Sequence, residues 1–215
     1  MTAHDYLSIV HGALATVSMS LVSILFGVPI GLGLALIRWS RLPFLDQAAA
    51  VYVSIIRTCP SVTLALLIYF ALPEVGISLD PVPAGILTLT LSTSAFDTEI
   101  WRSALINFPR DQYDAALSFG MRRGLRFRHV VLPQIVHGSL PALVNEMTLL
   151  VKASPAVAVL GIVEITRAAI RVGARTYDPL PPFIFALVLY SLIVFAFVKT
   201  QRVIERRVAQ AGASQ

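Results

Sequence analysis

Residues 109–133 read PRDQYDAALSFGMRRGLRFRHVVLP. This polar, strongly basic stretch separates two apolar runs, each long enough to cross a bilayer. Its first half has the pattern of a short helix. Pro109 suits a first helical turn, where its missing N–H costs nothing. Asp111 and Asp114 fall near the positive N-terminal end. Tyr113, Ala116, Leu117, Gly120 and Met121 recur at helical spacing and form one apolar stripe. Arg122, Arg123 and Arg126 fall near the other end, and Gly124 is the expected stop. Ala115, Ala116 and Gly120 leave little side chain on part of the surface, so another protein could approach the backbone closely. Composition alone fits a membrane-surface helix tied to anionic lipid as well as a docking helix.

The rest of the chain supplies the setting. Of 215 residues, 56% are hydrophobic and 13% charged, against roughly 25% charged in soluble domains. Mean hydropathy is +0.77. The apolar residues come in separate runs, so the expected fold is an all-α polytopic membrane protein in one transmembrane domain, residues 1–215. Net charge is +5 and most basic residues are arginine. They flank apolar runs, with no aromatic-basic patch or zinc-finger spacing, so nucleic acid is not an expected partner and lipid is. The single cysteine, Cys59, excludes an intrachain disulfide and reads as a small packing residue. The first apolar run is longer than the ~7–15 residues of a signal-peptide core and lacks a basic lead, so it reads as a span.

Five spans are expected, near residues 10–37, 49–72, 83–107, 130–151 and 183–201, with the N-terminus outside and the C-terminus inside. In the first, Gly27 and Gly31 form a GxxxG that permits close packing, and Pro29 suggests a kink as readily as a dimer seam. Arg38, Trp39 and Arg41 then mark a cytoplasmic boundary. In the second span, Pro60 should break or bend the helix beside Arg57. A charged residue there is a functional suspect, unless Arg57 snorkels to the interface. Residues 73–82 carry no Lys or Arg, as an outside loop should. The third span holds Asp97, Glu99 and Arg102, and the last two can pair at i,i+3. The fourth span carries Glu146, with Lys152 as a structural partner. Residues 153–165 are apolar but too short to cross, so they read as a re-entrant segment enclosed by protein. Arg167, Arg171 and Arg175 then form a basic stripe on an outside helix. It either departs from a statistical charge rule or docks an acidic partner. Lys199, Arg202, Arg206 and Arg207 close the count, which puts twelve of seventeen basic residues inside.

Asp114-Ala115-Ala116, three residues, Gly120, nine residues, Val130, one residue and Leu132-Pro133 resemble the "EAA" loop of ATP-binding-cassette importer permeases. The spacing agrees at every step, with Asp for Glu and Val for Ile. Farther out, Arg57-Thr58-Cys59-Pro60, Glu99-Ile100-Trp101-Arg102, Pro109-Arg110-Asp111-Gln112 and Lys152 through Thr166 are similar to the polar-amino-acid branch of that family. The resemblance covers roughly residues 10–207. It implies a multi-pass permease subunit in a bacterial inner membrane. It also implies a separate cytoplasmic ATPase, a second permease subunit of the same or a sibling kind, and an extracytoplasmic solute-binding protein. The residues 109–129 would be the coupling loop: Asp114, Ala115, Ala116 and Gly120 dock, and Leu132-Pro133 fix the bend into the fourth span. No phosphate-cradling G-x-x-x-x-G-K-[ST] is present, so no catalytic set, metal or cofactor is expected here.

Arg57, Glu146 and Glu164 are the expected substrate-pathway residues, being the best-placed ionisable groups at membrane depth. The expected function is uptake of an amino acid or similar small polar solute. One rival is an ion-coupled secondary transporter or channel using Asp97, Glu99 and Glu146, for which five spans are few and no repeat is visible. Another is a non-transporting membrane scaffold, which leaves the buried charges without a purpose.

Overall fold

A computed structural model describes residues 2–40 and 42–213, with side chains as far as Val203. Arg41, and the side chains of Arg206 and Arg207 in the expected tail, lie outside the described residues. Every regular element among the described residues is helical, which is what a lipid environment demands of backbone polar groups.

Helix α1, Ala3–Ser40, buries Ile9, Gly12, Thr16, Ser20, Ser23, Gly27, Gly31 and Ala35. These recur every three or four residues and are mostly small, so they form a shallow groove along one face. Helix α4, Pro81–Ile106, lies in that groove and packs against α1 more extensively than any other pair does. A Cβ built on Gly27 would stand 2.7 Å from the Thr93 side chain, and one on Gly31 would stand 2.8 Å from the Asp97 Cβ. The GxxxG is therefore an intrachain seam. α1 continues as one helix through Pro29, which is exposed.

The second expected span is not one straight helix. It divides into helix α2, Pro43–Thr58, and helix α3, Ser61–Ala71, and the path bends by 113° between Pro43–Thr58 and Ser61–Val75. At about 24 Å and 16 Å, each alone is shorter than the ~30 Å hydrocarbon core. The cause is Pro60, which has no N–H and pushes Cys59 into the extended region at ψ 128°. By length and composition, three helical stretches of the described residues can cross a membrane, or four if this bent pair counts as one. α4 is not among the three, because Thr88, Thr90, Thr93, Ser94, Asp97 and Thr98 lower its hydropathy. All six are buried against neighbouring helices, and the hydroxyls of Thr88 and Thr98 donate to their own helix, at Ala84 O and Ser94 O. α4 is thus the interior helix of the bundle, touching α1, α2, α3 and the helix that follows the loop.

That helix, α7 (Leu132–Ala153), follows two short pieces, α5 (Arg110–Ser118) and α6 (Arg123–Arg126). A 3-10 turn, Ser154–Leu160, leads through Gly161 (φ 99°) to α8 (Ile165–Thr176) and α9 (Leu180–Ala213). Irregular backbone at 154–164 is enclosed as expected. Val157, Leu160 and Ile162 are buried with Ala65, Ile68 and Ala84 of α3 and α4, and Gly12 of α1 lets the backbone of Glu164 approach within 2.9 Å of where a Cβ would be. α8 turns Ala168, Ala169 and Val172 inward against Ile9 of α1 and Ala186 of α9.

Its basic stripe is largely used up inside the molecule. Arg167 donates to the Ala158 carbonyl and Arg175 pairs with the buried carboxylate of Asp5. Arg171 is exposed.

Candidate functional site

The loop that reads as a docking element is a short helix held from below. Arg110–Ser118 begins after Pro109, and it ends in a Schellman motif: Met121 N–H donates to Ala116 O at 3.2 Å and Gly120 N–H donates to Leu117 O at 2.9 Å. Gly120 takes φ 71°, a conformation open to glycine. The stop is therefore Gly120, not Gly124, which lies inside α6. The two glycines are alike in composition, and only the hydrogen bonds select one.

Tyr113 and Ala116 turn toward the bundle, with Ala116 buried. Asp114, Ala115 and Leu117 are exposed, and Phe119 is 87% exposed. Arg126 clamps this helix to the next: its Nη2 donates to the Tyr113 hydroxyl at 2.6 Å, and its guanidinium stands 4.0 Å from the Tyr113 ring centre. The chain turns at Phe119–Arg122, where Gly120 is left-handed and Arg122 extended. Leu132 and Pro133 do not sit at that bend. They continue a helical path that enters α7 through a wide π turn, Phe127–Val131. A π turn next to Pro133 fits the ring clash and lost N–H that proline brings to an ordinary helix. Leu132 is half-buried and Pro133 exposed.

Beside this loop lies a cavity of about 640 Å³ between the end of α2, the second half of α4 and α7. Arg57, Phe96, Glu99, Gln134, Ser139 and Glu146 are among its walls. The Arg57 guanidinium stands 5.2 Å from the Phe96 ring centre. Among the described residues Glu146 makes no ion pair with Arg57 or with Lys152, so the structural pairing of Glu146 with Lys152 is not found. Glu99 is engaged. It pairs with Arg102 at 3.4 Å, as the i,i+3 spacing predicts, and also with Arg38 of α1, which reaches Asp46 at 3.4 Å. Arg38 and Glu99 lie 61 positions apart, and no local pattern signals their meeting. Asp97 is 1% exposed and lines neither this cavity nor the two beside the loop.

Glu164 stands apart from Arg57 and Glu146. It is fully buried at the head of α8, accepting from Arg167 N at 2.6 Å, Thr166 N at 2.8 Å and the Tyr190 hydroxyl at 2.8 Å. This carboxylate caps one helix and ties it to another. Glu164→Ala is expected to destabilise the folded permease by about 3 kcal/mol, since three part-buried donors lose a fully buried acceptor. Thermal unfolding in detergent checks this, and an unchanged midpoint would contradict the capping role.

Residues 27–210 match the family described as binding-protein-dependent transport system inner membrane component. The chain belongs to that family. Among its relatives, the probable amino-acid ABC transporter permease protein YckA of Bacillus subtilis is 31% identical over 201 residues, 94% of this chain and 89% of the relative. The arginine transport system permease protein ArtQ of the same organism is 32% identical over 93% of this chain and 91% of the relative. A crystal structure of an amino acid ABC transporter with histidines superposes with a TM-score of 0.84 at 31% identity, covering 93% of this chain and 94% of that one. The inward-facing MetNI methionine ABC transporter has the same fold, with a TM-score of 0.81 at 24% identity. This permease is therefore the membrane-embedded subunit of an ATP-binding-cassette importer and is not itself catalytic. Family membership implies a partner ATPase and a binding protein.

Proposed function

We propose that this permease carries an amino acid, or a solute with the same pair of opposite charges, through the cavity between α2, α4 and α7. The observation that carries the reading is Arg57 and Glu146 sharing one cavity of about 640 Å³ without pairing with each other. A guanidinium suits a carboxylate and a carboxylate suits an ammonium, so a free amino acid complements both. The volume falls within the ~300–1,000 Å³ of small-ligand sites. Amino-acid transport by the relatives supports the same solute class.

The topology of this reading has five crossings: α1, the bent α2–α3 pair, α4, α7 and α9. An odd number puts the two termini on opposite sides, and the excess of Lys and Arg in the loop and tail places the C-terminus inside and the N-terminus outside. The helix Arg110–Ser118 is then cytoplasmic, with Asp114, Ala115, Leu117 and Phe119 facing the ATPase. Displacement of this helix reaches the cavity from two sides. Pro109 joins it to the wall formed by α4, and the Arg126–Tyr113 clamp joins it to the chain entering α7. Alternating access would be a two-state rearrangement of these walls, biased by ATP at a remote site. Pairing with a second permease subunit and a solute-binding protein in a bacterial inner membrane completes the assembly. The ion-path alternative is weakened by Glu99, whose carboxylate is already held by two arginines.

Arg57→Gln and Glu146→Gln are each expected to lower amino-acid uptake by about tenfold or more, the scale of one charge-assisted hydrogen bond. Reconstituted vesicles containing the whole importer provide the assay, with ATPase activity as the check on assembly. Full uptake by both variants would remove this pathway.

A further inference from the structure

On the bundle side of the helix Arg110–Ser118 lies a separate cavity of about 420 Å³, with Trp39, Tyr113, Arg123, Arg126 and Phe127 among its walls. We propose that this cavity binds a phosphate group, supplied by the headgroup of an anionic membrane lipid.

The argument starts from Arg126. Its side chain is 5% exposed. Nη2 is occupied by the Tyr113 hydroxyl, whereas Nη1 is buried with no hydrogen-bond partner. Arginine keeps its charge at any physiological pH. A buried guanidinium without a counter-charge is strongly unfavourable. Yet the walls of the cavity contain a second arginine, Arg123, and no carboxylate. Among the described residues no ion pair reaches either arginine. No described carboxylate compensates this charge, which points to an anion from outside the chain. A planar guanidinium fork matches phosphate oxygens, and a solvent-exposed Arg123 can close on the same group.

The cavity walls point to lipid as the source. Trp39 and Phe127 form an aromatic wall, with ring centres 6.3 Å apart. Trp39 is the last aromatic residue of α1, where the apolar run ends, and aromatic side chains of this kind sit at the headgroup level. The surface expected to meet the ATPase, with Ala115 and Phe119, is turned away. A phosphate held by Arg126 and Arg123 would also bridge the end of α1 to the loop, so lipid composition would bear on how firmly that loop is held. The inference rests on the cytoplasmic placement of the loop. Its test needs no transport, so its failure is distinct from failure of the proposed function.

The whole importer, purified in mild detergent, is titrated with phosphatidylglycerol or phosphatidylcholine, and retained lipid is read by native mass spectrometry. Phosphatidylglycerol should be retained in preference. Retention should fall about tenfold in Arg126→Gln and about fivefold in Arg123→Gln, the scale of a lost charge-assisted bond and of one surface arginine. Arg122→Gln, which alters an exposed arginine outside the cavity, should retain lipid as the native protein does. Arg123 is exposed, so its variant remains informative if Arg126→Gln fails to assemble. Equal retention of the two lipids, or an equal loss in Arg122→Gln, would overturn the site. Displacement of phosphatidylglycerol by millimolar inorganic phosphate would overturn the lipid source. Loss of the ATPase from Arg126→Gln with lipid retention unchanged would assign the arginine to a protein partner, and the proposal would fall.

Discussion

Gly31→Leu is expected to destabilise the bundle strongly. A Cβ at this position would stand 2.8 Å from the Asp97 Cβ, 3.0 Å from the Ser94 carbonyl and 3.1 Å from the Thr98 amide. Two of these atoms are backbone of α4, so no flexible side chain can swing away. The helices must separate, and the separation runs along their longest shared seam. Overpacked cores usually lose about 1–3 kcal/mol, and a leucine between two backbones belongs at or above the top of that range. Lipid adds nothing to push the helices together again, because lipid tails are as apolar as the side chains. Gly33→Leu is the control, for nothing lies within 4 Å of its Cβ position. Denaturant unfolding in detergent should show the first variant strongly destabilised and the second near native. Equal midpoints would mean that the seam is not a close-packed one.

Gly120→Arg is expected to abolish most uptake while leaving the permease folded and inserted. Here the chain itself offers no obstacle: a Cβ at Gly120 meets nothing within 4 Å. The folded state has only to bear a left-handed arginine, at about 1–2 kcal/mol. Any larger effect must come from what docks on the exposed side of the helix Arg110–Ser118. A bulky cation there would stand in the way of the ATPase, and uptake should fall more than about tenfold, or 1.4 kcal/mol at the contact. Gly120→Asn separates backbone from bulk. Asparagine tolerates the left-handed conformation and is short, so this variant should transport. Normal uptake by an inserted Gly120→Arg protein would show that the helix is not where the ATPase is engaged.

The legible part of the candidate site was its spacing. Asp114, Ala115, Ala116, Gly120, Leu132 and Pro133 carry the resemblance to the permease family, and a helix at the first of these is found. The stop at Gly120 was not separable from one at Gly124, because both are glycines near arginines and the choice depends on where Met121 and Gly120 find acceptors. The resemblance places the bend into the fourth span at Leu132-Pro133; the left-handed Gly120 makes a separate, earlier turn, and the chain enters α7 through the π turn next to Pro133. Glu164 and Glu146 look alike in the sequence, each a carboxylate in an apolar run. One is saturated by three donors and the other faces an open cavity. Arg126 was one of several arginines in a basic loop, and nothing local marks it as the buried one.

The amino-acid order by itself determined the class and the elements. Charge depletion, long apolar runs and a basic interruption require helices in a membrane, and proline and glycine mark where those helices break. These are consequences of bond geometry and of solvent, and they act between residues close in the chain. Which charges meet was decided by the tertiary structure. Arg38 reaches Glu99 across 61 positions, Asp5 meets Arg175, and Arg57 shares a cavity with Glu146 without pairing. The interior place of α4 was decided there too, since a helix rich in threonine and serine can lie inside a membrane bundle once its neighbours, and not lipid, surround it. Each of these depends on how whole helices stack, and small residues such as Gly27 and Gly31 set that by how closely they let two backbones approach.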